Sequence, residues 1–217
     1  MSNSQLSVGH EVKNDYNGVG DDSVRDLIDT NLIRELETYF NARIDEVDEN
    51  MADGKRSVFD FVDMAVLIGA LANATDTRSK NDTDQYIDFV KHELISAASQ
   101  MSESHKKVVA TAFYCLMRCG LVHEMSLGAH KIRPARKQII KDYSISITHD
   151  ESDDGSWYSI DTSAHEITFY AHALLKAIKF CVRKCFDGNS QLWCAIRDNV
   201  NSHGIKIISV KPLASHS

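Results

Sequence analysis

The chain has 217 residues, of which 43% are apolar and 25% charged, and its formal net charge is −7. This composition is typical of a globular protein, and the acidic balance argues against a protein that coats nucleic acid over its whole surface. The N-terminus lacks the pattern of a secretory signal, no run of about 18 apolar residues predicts a membrane span, and five cysteines without a disulfide framework favour a reducing compartment. We therefore expect a cytoplasmic protein that does not associate with a membrane.

Helical patterns dominate the first part of the chain. Residues 1–21 are polar and predict a flexible arm ahead of a single domain over residues 22–217. Apolar residues recur at helical spacing from Ser23 to about Gly54, and a second helix begins after the N-cap Ser57. That second helix is apolar on most sides and should lie centrally in a bundle. A third helix is expected from Asp82 to Gln100, and a fourth, carrying "HKKVVATAFYCLMRCGLVH", begins at Ser104.

The period changes near residue 143. The stretches "YSISITHD" and "SWYSIDT" alternate in polarity and flank an acidic turn, which predicts a β-hairpin over residues 143–161. A long helix carrying "HEITFYAHALLKAIKFCVRKCF" is expected next, followed by a shorter helix, "SQLWCAIRDNVNSHG", and a strand-like tail, "IKIISVKP". The predicted fold is mainly α, a bundle of four to six helices with a small β-hairpin insertion.

A cation and an imidazole lie close together at the end of the fourth predicted helix. Arg118 and His123 are five residues apart, or about 140° around a regular helix, so an undisturbed helix would point them in different directions. Gly120 between them costs roughly 1 kcal/mol of helix propensity and favours a local loosening. A loosened turn would let both side chains face one cleft.

The sequence Arg118-Cys-Gly-Leu-Val-His123, late in an apolar helix of a helical domain, resembles the R-x4-6-H motif of the HEPN superfamily (higher eukaryote and prokaryote nucleotide-binding domains). The surrounding "MRCGLVHE" is similar to the sequence pattern common in small bacterial members of the superfamily. The resemblance implies a HEPN-like helical bundle and a metal-independent endoribonuclease, commonly a homodimer, of the toxin or phage-defence kind. RNA would be the substrate, and an antitoxin or regulatory protein a further partner.

By the same resemblance, His123 would serve as general acid or base on the ribose 2′-hydroxyl, and Arg118 would stabilise the charge on the phosphate. These residue types suit the chemistry, because an imidazole exchanges protons near neutral pH and a guanidinium presents fixed donors to phosphate oxygens. The reaction would leave a 2′,3′-cyclic phosphate and needs no cofactor. The bland alternative is a helix end at which Arg118 extends into solvent and His123 caps carbonyl groups.

One position departs from the family pattern. Many active members have a polar residue directly after the arginine, where this chain has Cys119. This departure, together with the acidic charge, leaves open a non-catalytic HEPN-like module that dimerises or binds a nucleotide or protein partner. A helical regulatory protein with a thiol or metal switch is a third alternative.

Two basic clusters are candidates for contact with RNA phosphates. The first directly follows the motif and consists of Lys131, Arg133, Arg136, Lys137 and Lys141. The second recurs on one face of the long predicted helix and consists of Lys176, Lys179, Arg183 and Lys184. Both clusters are also explained by solvated surface, which is the commoner role of such runs.

The cysteines and the remaining histidines favour packing over chemistry. Cys115, Cys119 and His123 follow one helical stripe, and Cys181 and Cys185 repeat the i, i+4 spacing. Cysteines in apolar helices are usually buried, so we expect no metal site. His165 and His172 are predicted to share a face of the long helix, and Trp157 and Trp193 to anchor the core or an interface.

Overall fold

The computed structural model describes residues 21–53, 57–76, 82–95, 101–117 and 139–203. Its fold is mainly helical with a small three-stranded sheet, which confirms the predicted class. The predicted arm, apart from Asp21, and the strand-like tail lie outside the described residues. The helices are α1 (Asp21–Ala52), α2 (Val58–Thr75), α3 (Asp82–Phe89), α4 (Glu103–Phe113), α5 (Ala171–Phe186) and α6 (Gln191–His203).

α2 lies at the centre of the bundle, as its apolar composition predicted. Its start is set by Ser57, whose hydroxyl accepts the backbone N–H of Phe59 at 3.1 Å, while Asp60 accepts the N–H of Ser57 at 3.1 Å. This reciprocal arrangement is a capping box. The helix contacts α1, α3, α5 and α6. Among the described residues it alone has the length and hydropathy to cross a membrane, but half of it is buried inside the fold.

The third predicted helix ends earlier than expected. α3 changes at Val90 into a π-helical turn, Val90–Leu94, and Ile95 is already extended. The prediction that the helix continues beyond Leu94 is therefore wrong at Ile95, and residues 96–100 lie outside the described part of the chain. The wider turn has tertiary partners: the Leu94 carbonyl accepts the indole N–H of Trp157 at 3.0 Å, and the Glu93 carbonyl accepts the thiol of Cys181 at 3.2 Å. Helical periodicity cannot predict these contacts, because they join residues that are distant along the chain.

The sheet corrects two predictions. Its strands are β1 (Ser144–Thr148), β2 (Tyr158–Asp161) and β3 (Glu166–Tyr170), in the order β1-β3-β2. β3 is central, parallel to β1 and antiparallel to β2. The predicted hairpin between the segments now assigned to β1 and β2 is therefore wrong, and so is the helical prediction for residues 166–170. The long helix begins only at Ala171.

Burial explains why residues 166–170 form a strand. Ile167 and Phe169 are fully buried and alternate with more exposed neighbours, so one face of β3 covers the helical core. A tight turn joins β2 to β3: the carboxylate of Asp161 accepts the N–H groups of Ser163 and Ala164 at 2.8 Å, and His165 adopts a φ of 54°. His165 therefore lies in a turn and His172 on α5, so the prediction that they share a helical face is wrong.

Aromatic side chains join the sheet to the bundle. The Phe113 ring on α4 meets Trp157 and Phe169 edge to face, with centroids 5.3 and 5.2 Å apart. Trp157 and Phe169 stack on each other at 5.8 Å. Trp157 is a core anchor, as expected. One hydrophobic cluster includes buried residues of all six helices and of β3, so the sheet is part of the same core as the helices.

Candidate functional site

The predicted catalytic and phosphate-binding residues lie outside the described part of the chain. They fall between α4 and residue 139, and they are Arg118, His123, Lys131, Arg133, Arg136 and Lys137. Lys141, the last cation of the same run, is described and exposed. The proposed convergence of Arg118 and His123 on one cleft therefore stays a prediction.

The structure does describe the approach to the motif. After Phe113 the helix widens into a π-helical turn over residues 114–117, which immediately precede Arg118. Cys115, Leu116 and Met117 are buried, so the three residues directly before Arg118 in the sequence belong to the core. Single π-helical turns inside α-helices are frequent at functional sites, because they redirect the side chains that follow. The expected loosening at Gly120 is outside the described residues, and this widening occurs earlier.

A second candidate site lies at the end of β1. The Nε2 atom of His149 is 2.8 Å from Oδ2 of Asp60, the residue that also completes the α2 capping box. Asp60 is 4% exposed and the His149 side chain 11% exposed. The Phe61 ring meets the imidazole edge to face, with centroids 5.6 Å apart. The imidazole is therefore held in one orientation by a buried carboxylate and an aromatic ring.

The bond to Asp60 assigns a role to each nitrogen of His149. A carboxylate is only an acceptor, so Nε2 carries a proton and Nδ1 is the acceptor of the neutral ring. Nδ1 has no hydrogen-bond partner within the described ranges. An imidazole oriented by a carboxylate in this way can accept or donate a proton.

His149 lines an open cleft of about 420 Å³ together with Asp150, Glu151, His172 and Lys176. The His149 and His172 rings are edge to face, with centroids 6.4 Å apart. Lys176 follows His172 by one turn of α5 and is exposed. Two imidazoles and an ammonium group thus share the cleft with two carboxylates. This set of side chains can bind both anionic and cationic groups.

Sequence reasoning missed the Asp60–His149 pair. The two residues are 89 positions apart, and Asp60 was not singled out beside the N-cap Ser57. The available signal was a histidine directly after an alternating strand, in "SITHD".

The cysteines have the packing role that their spacing favoured. Cys181 and Cys185 are buried on α5, and burial raises the pKa of each thiol to about 12. Thiols that stay protonated at neutral pH are poor nucleophiles and poor metal ligands. Over the described ranges, no three His, Cys, Asp or Glu side chains are grouped so that they could hold a metal ion. Cys119 and His123, which completed the other stripe, lie outside those ranges.

The basic cluster on α5 is divided by its tertiary contacts. Lys179 pairs with Asp48 of α1 at 2.5 Å, and Lys184 pairs with Glu93 at 2.7 Å. The carboxylate of Glu93 raises the pKa of Lys184. Lys176 and Arg183 form no ion pair with any carboxylate that the structure describes. The four cations were equivalent by their spacing in the sequence, but in the fold two of them are neutralised by ion pairs and two are open, that is, without an ion pair to a described carboxylate.

A larger cleft of about 530 Å³ lies between α2, α3 and α6. Internal hydrogen bonds tie its margin together: Asn199 donates its amide to the carbonyls of Ala74 and Asp76, both at 2.8 Å, and Gln85 donates to the Asp76 carboxylate at 2.7 Å. These bonds satisfy the carboxyl end of α2 and fasten α6 to it.

In comparisons with protein-family models, curated proteins and solved structures no match was found, so function is inferred from the chain's own residues.

Proposed function

We propose that this protein is a metal-independent endoribonuclease of the HEPN type. The observation that carries the proposal is the Arg118-x4-His123 motif directly after the π-helical turn 114–117, which is mostly buried. The mainly helical bundle supports the same family. A π-helical turn just ahead of the motif supports the idea that the backbone is locally rearranged to present these side chains.

The proposed reaction is attack of a ribose 2′-hydroxyl on the adjacent phosphorus. His123 takes the hydroxyl proton as the new P–O bond forms, and the 5′-oxygen of the next nucleotide leaves with a proton returned by an acid. Arg118 donates hydrogen bonds to the phosphate oxygens, whose negative charge grows in the transition state. The cations Lys131, Arg133, Arg136 and Lys137 contact the flanking RNA backbone.

A non-catalytic module that dimerises or binds a nucleotide or protein partner is the second candidate. Cys119 stands where active family members commonly have a polar residue, which supports this alternative.

The experiment that tests the reaction uses wild-type protein, cellular RNA and excess EDTA. We expect cleavage that persists without divalent metal and yields fragments ending in a 2′,3′-cyclic phosphate and beginning with a 5′-hydroxyl, identified by mass spectrometry. Cleavage that requires metal, or fragments ending in a 3′-hydroxyl, would contradict the proposal. Absence of cleavage across ribosomal, transfer and messenger RNA would favour the binding module.

We further propose that the protein acts in the cytoplasm as a homodimer whose two motifs meet across one cleft, with an antitoxin or regulatory protein restraining it. One Arg–His pair encloses a phosphate poorly, whereas two facing pairs would surround it. Light scattering at micromolar concentration should therefore give twice the chain's mass of 24.3 kDa. A stable monomer that still cleaves RNA would exclude the composite cleft.

A further inference from the structure

Phe180 on α5 is the most exposed large apolar side chain in the described part of the molecule, at 66%. It is flanked on its own helical face by Lys176, four residues earlier, and Arg183, three residues later. An isolated exposed phenylalanine needs no explanation, but an exposed ring between two cations is the pattern of a surface that stacks a base and holds its phosphates.

The ion pairs of α5 leave these two flanking cations open. Lys179 and Lys184, on the same helix, are neutralised by Asp48 and Glu93. Lys176 and Arg183 have no such partner among the residues that the structure describes. In a chain of net charge −7, two cations without an ion-pair partner among the described residues thus lie on either side of Phe180.

The spacing of Lys176 and Arg183 suits an extended nucleic-acid strand. Lys176 and Arg183 are seven residues apart, which corresponds to about 10 Å along the helix axis at the helical rise per residue. A base stacked on the ring between them would leave the phosphates on its two sides within reach of these long side chains. Lys176 also borders the His149 cleft, but the carboxylates of Asp150 and Glu151 line that cleft and repel phosphate. A bound phosphate backbone would therefore follow the surface of α5 and would not enter the cleft.

We propose that the α5 face formed by Lys176, Phe180 and Arg183 binds single-stranded RNA, with a base stacked on Phe180 and a phosphate held by each cation. The choice of RNA as the polyanion rests on the proposed function, while the site itself rests on exposure and charge. Single-stranded RNA fits because only an unpaired, unstacked base offers its flat face to a side chain. Cations without an ion-pair partner favour a polyanion over an apolar protein surface, whose docking on Phe180 would bury them unpaired.

The test measures binding of a short, fluorescently labelled, single-stranded 2′-O-methyl oligoribonucleotide by anisotropy. This RNA has no free 2′-hydroxyl and cannot be cleaved by the proposed reaction, so binding is read separately from catalysis. Phe180→Ala should raise Kd by about 5- to 150-fold, and Phe180→Trp should keep or improve the affinity. Lys176→Ala and Arg183→Ala should each make the plot of log association constant against log salt concentration less steep, by about 0.7 in slope.

Two matched controls separate this face from general effects. Phe59→Ala removes an aromatic ring that is 53% exposed on α2, and Lys179→Ala removes an α5 cation that is already paired. Both should bind the oligonucleotide like wild type. Circular dichroism checks that each variant is folded, and double-stranded RNA of the same sequence should bind equally well to wild type and Phe180→Ala.

The outcomes distinguish the inference from the proposed function. Unchanged affinity of folded Phe180→Ala for the single strand would overturn the inference, even if the wild-type protein cleaves RNA. The expected pattern of Kd values, from a wild-type protein that cleaves nothing, would uphold the inference and reject the nuclease. If Phe180→Ala changes the sedimentation coefficient but not RNA affinity, the face is a protein interface and the inference is wrong.

Discussion

Replacing His123 with alanine is expected to lower the rate of RNA cleavage by about 10²- to 10⁴-fold, which is the usual contribution of a positioned general acid or base. Alanine leaves the 2′-hydroxyl without a proton acceptor, and circular dichroism checks that the variant is folded. Single-turnover cleavage of a defined oligoribonucleotide, with EDTA present, measures the loss. His92→Ala, at an exposed histidine of the π-helical turn, should cleave at the wild-type rate.

Arg118 variants refine the same test. Arg118→Ala should be as slow as His123→Ala, and Arg118→Lys should recover only part of the rate, because an ammonium group cannot reproduce the fork of guanidinium donors. The double variant should be little slower than either single variant, since residues that serve one transition state lose their effect together. A wild-type rate in either folded alanine variant would eliminate the proposed catalytic pair.

Replacing Asp60 with alanine is expected to lower the free energy of unfolding by about 2–4 kcal/mol. The change removes the carboxylate that accepts the Ser57 N–H at the start of α2, a capping contact of the order of 1 kcal/mol. It also leaves Nε2 of His149 without its acceptor at a site where the side chain is 11% exposed, which costs a further 1–3 kcal/mol or so. Urea denaturation followed by circular dichroism measures the difference.

A surface aspartate supplies the comparison. Asp48 also forms an ion pair, with Lys179, but its side chain is 51% exposed, so Asp48→Ala should cost at most about 1 kcal/mol. A double-mutant cycle between Asp60→Ala and His149→Ala should show a coupling of about 0.5–3 kcal/mol. If Asp60→Ala is no less stable than Asp48→Ala, the buried pair does not hold β1 to α2.

Local patterns were sufficient for most of the bundle. The helices α1, α2, α4 and α6 follow apolar residues at helical spacing, and α2 and α4 begin next to serines that accept backbone N–H groups. Periodicity was insufficient for residues 166–170, since five residues between a turn and a helix fit either a helix or a strand. They pair in parallel with residues 144–148, and nothing within a short window encodes that partner.

The candidate sites show the same division. The Arg118-x4-His123 motif and the basic run that follows it are properties of neighbouring residues, so the sequence alone was enough to single them out. The choice of Asp60 as the partner of His149 was settled by folding, because the distance between them along the chain carries no local signal.

The sequence by itself determined that the chain builds helices and where most of them begin, because propensity and capping act over a few positions; it also singled out the candidate residues for phosphate chemistry by their side-chain type. Only the tertiary structure decided the order of the strands and which cations of α5 lack an ion-pair partner. Those properties depend on what packs against each residue. Asp48 and Glu93 come from distant parts of the chain, and they neutralise Lys179 and Lys184 while leaving Lys176 and Arg183 available.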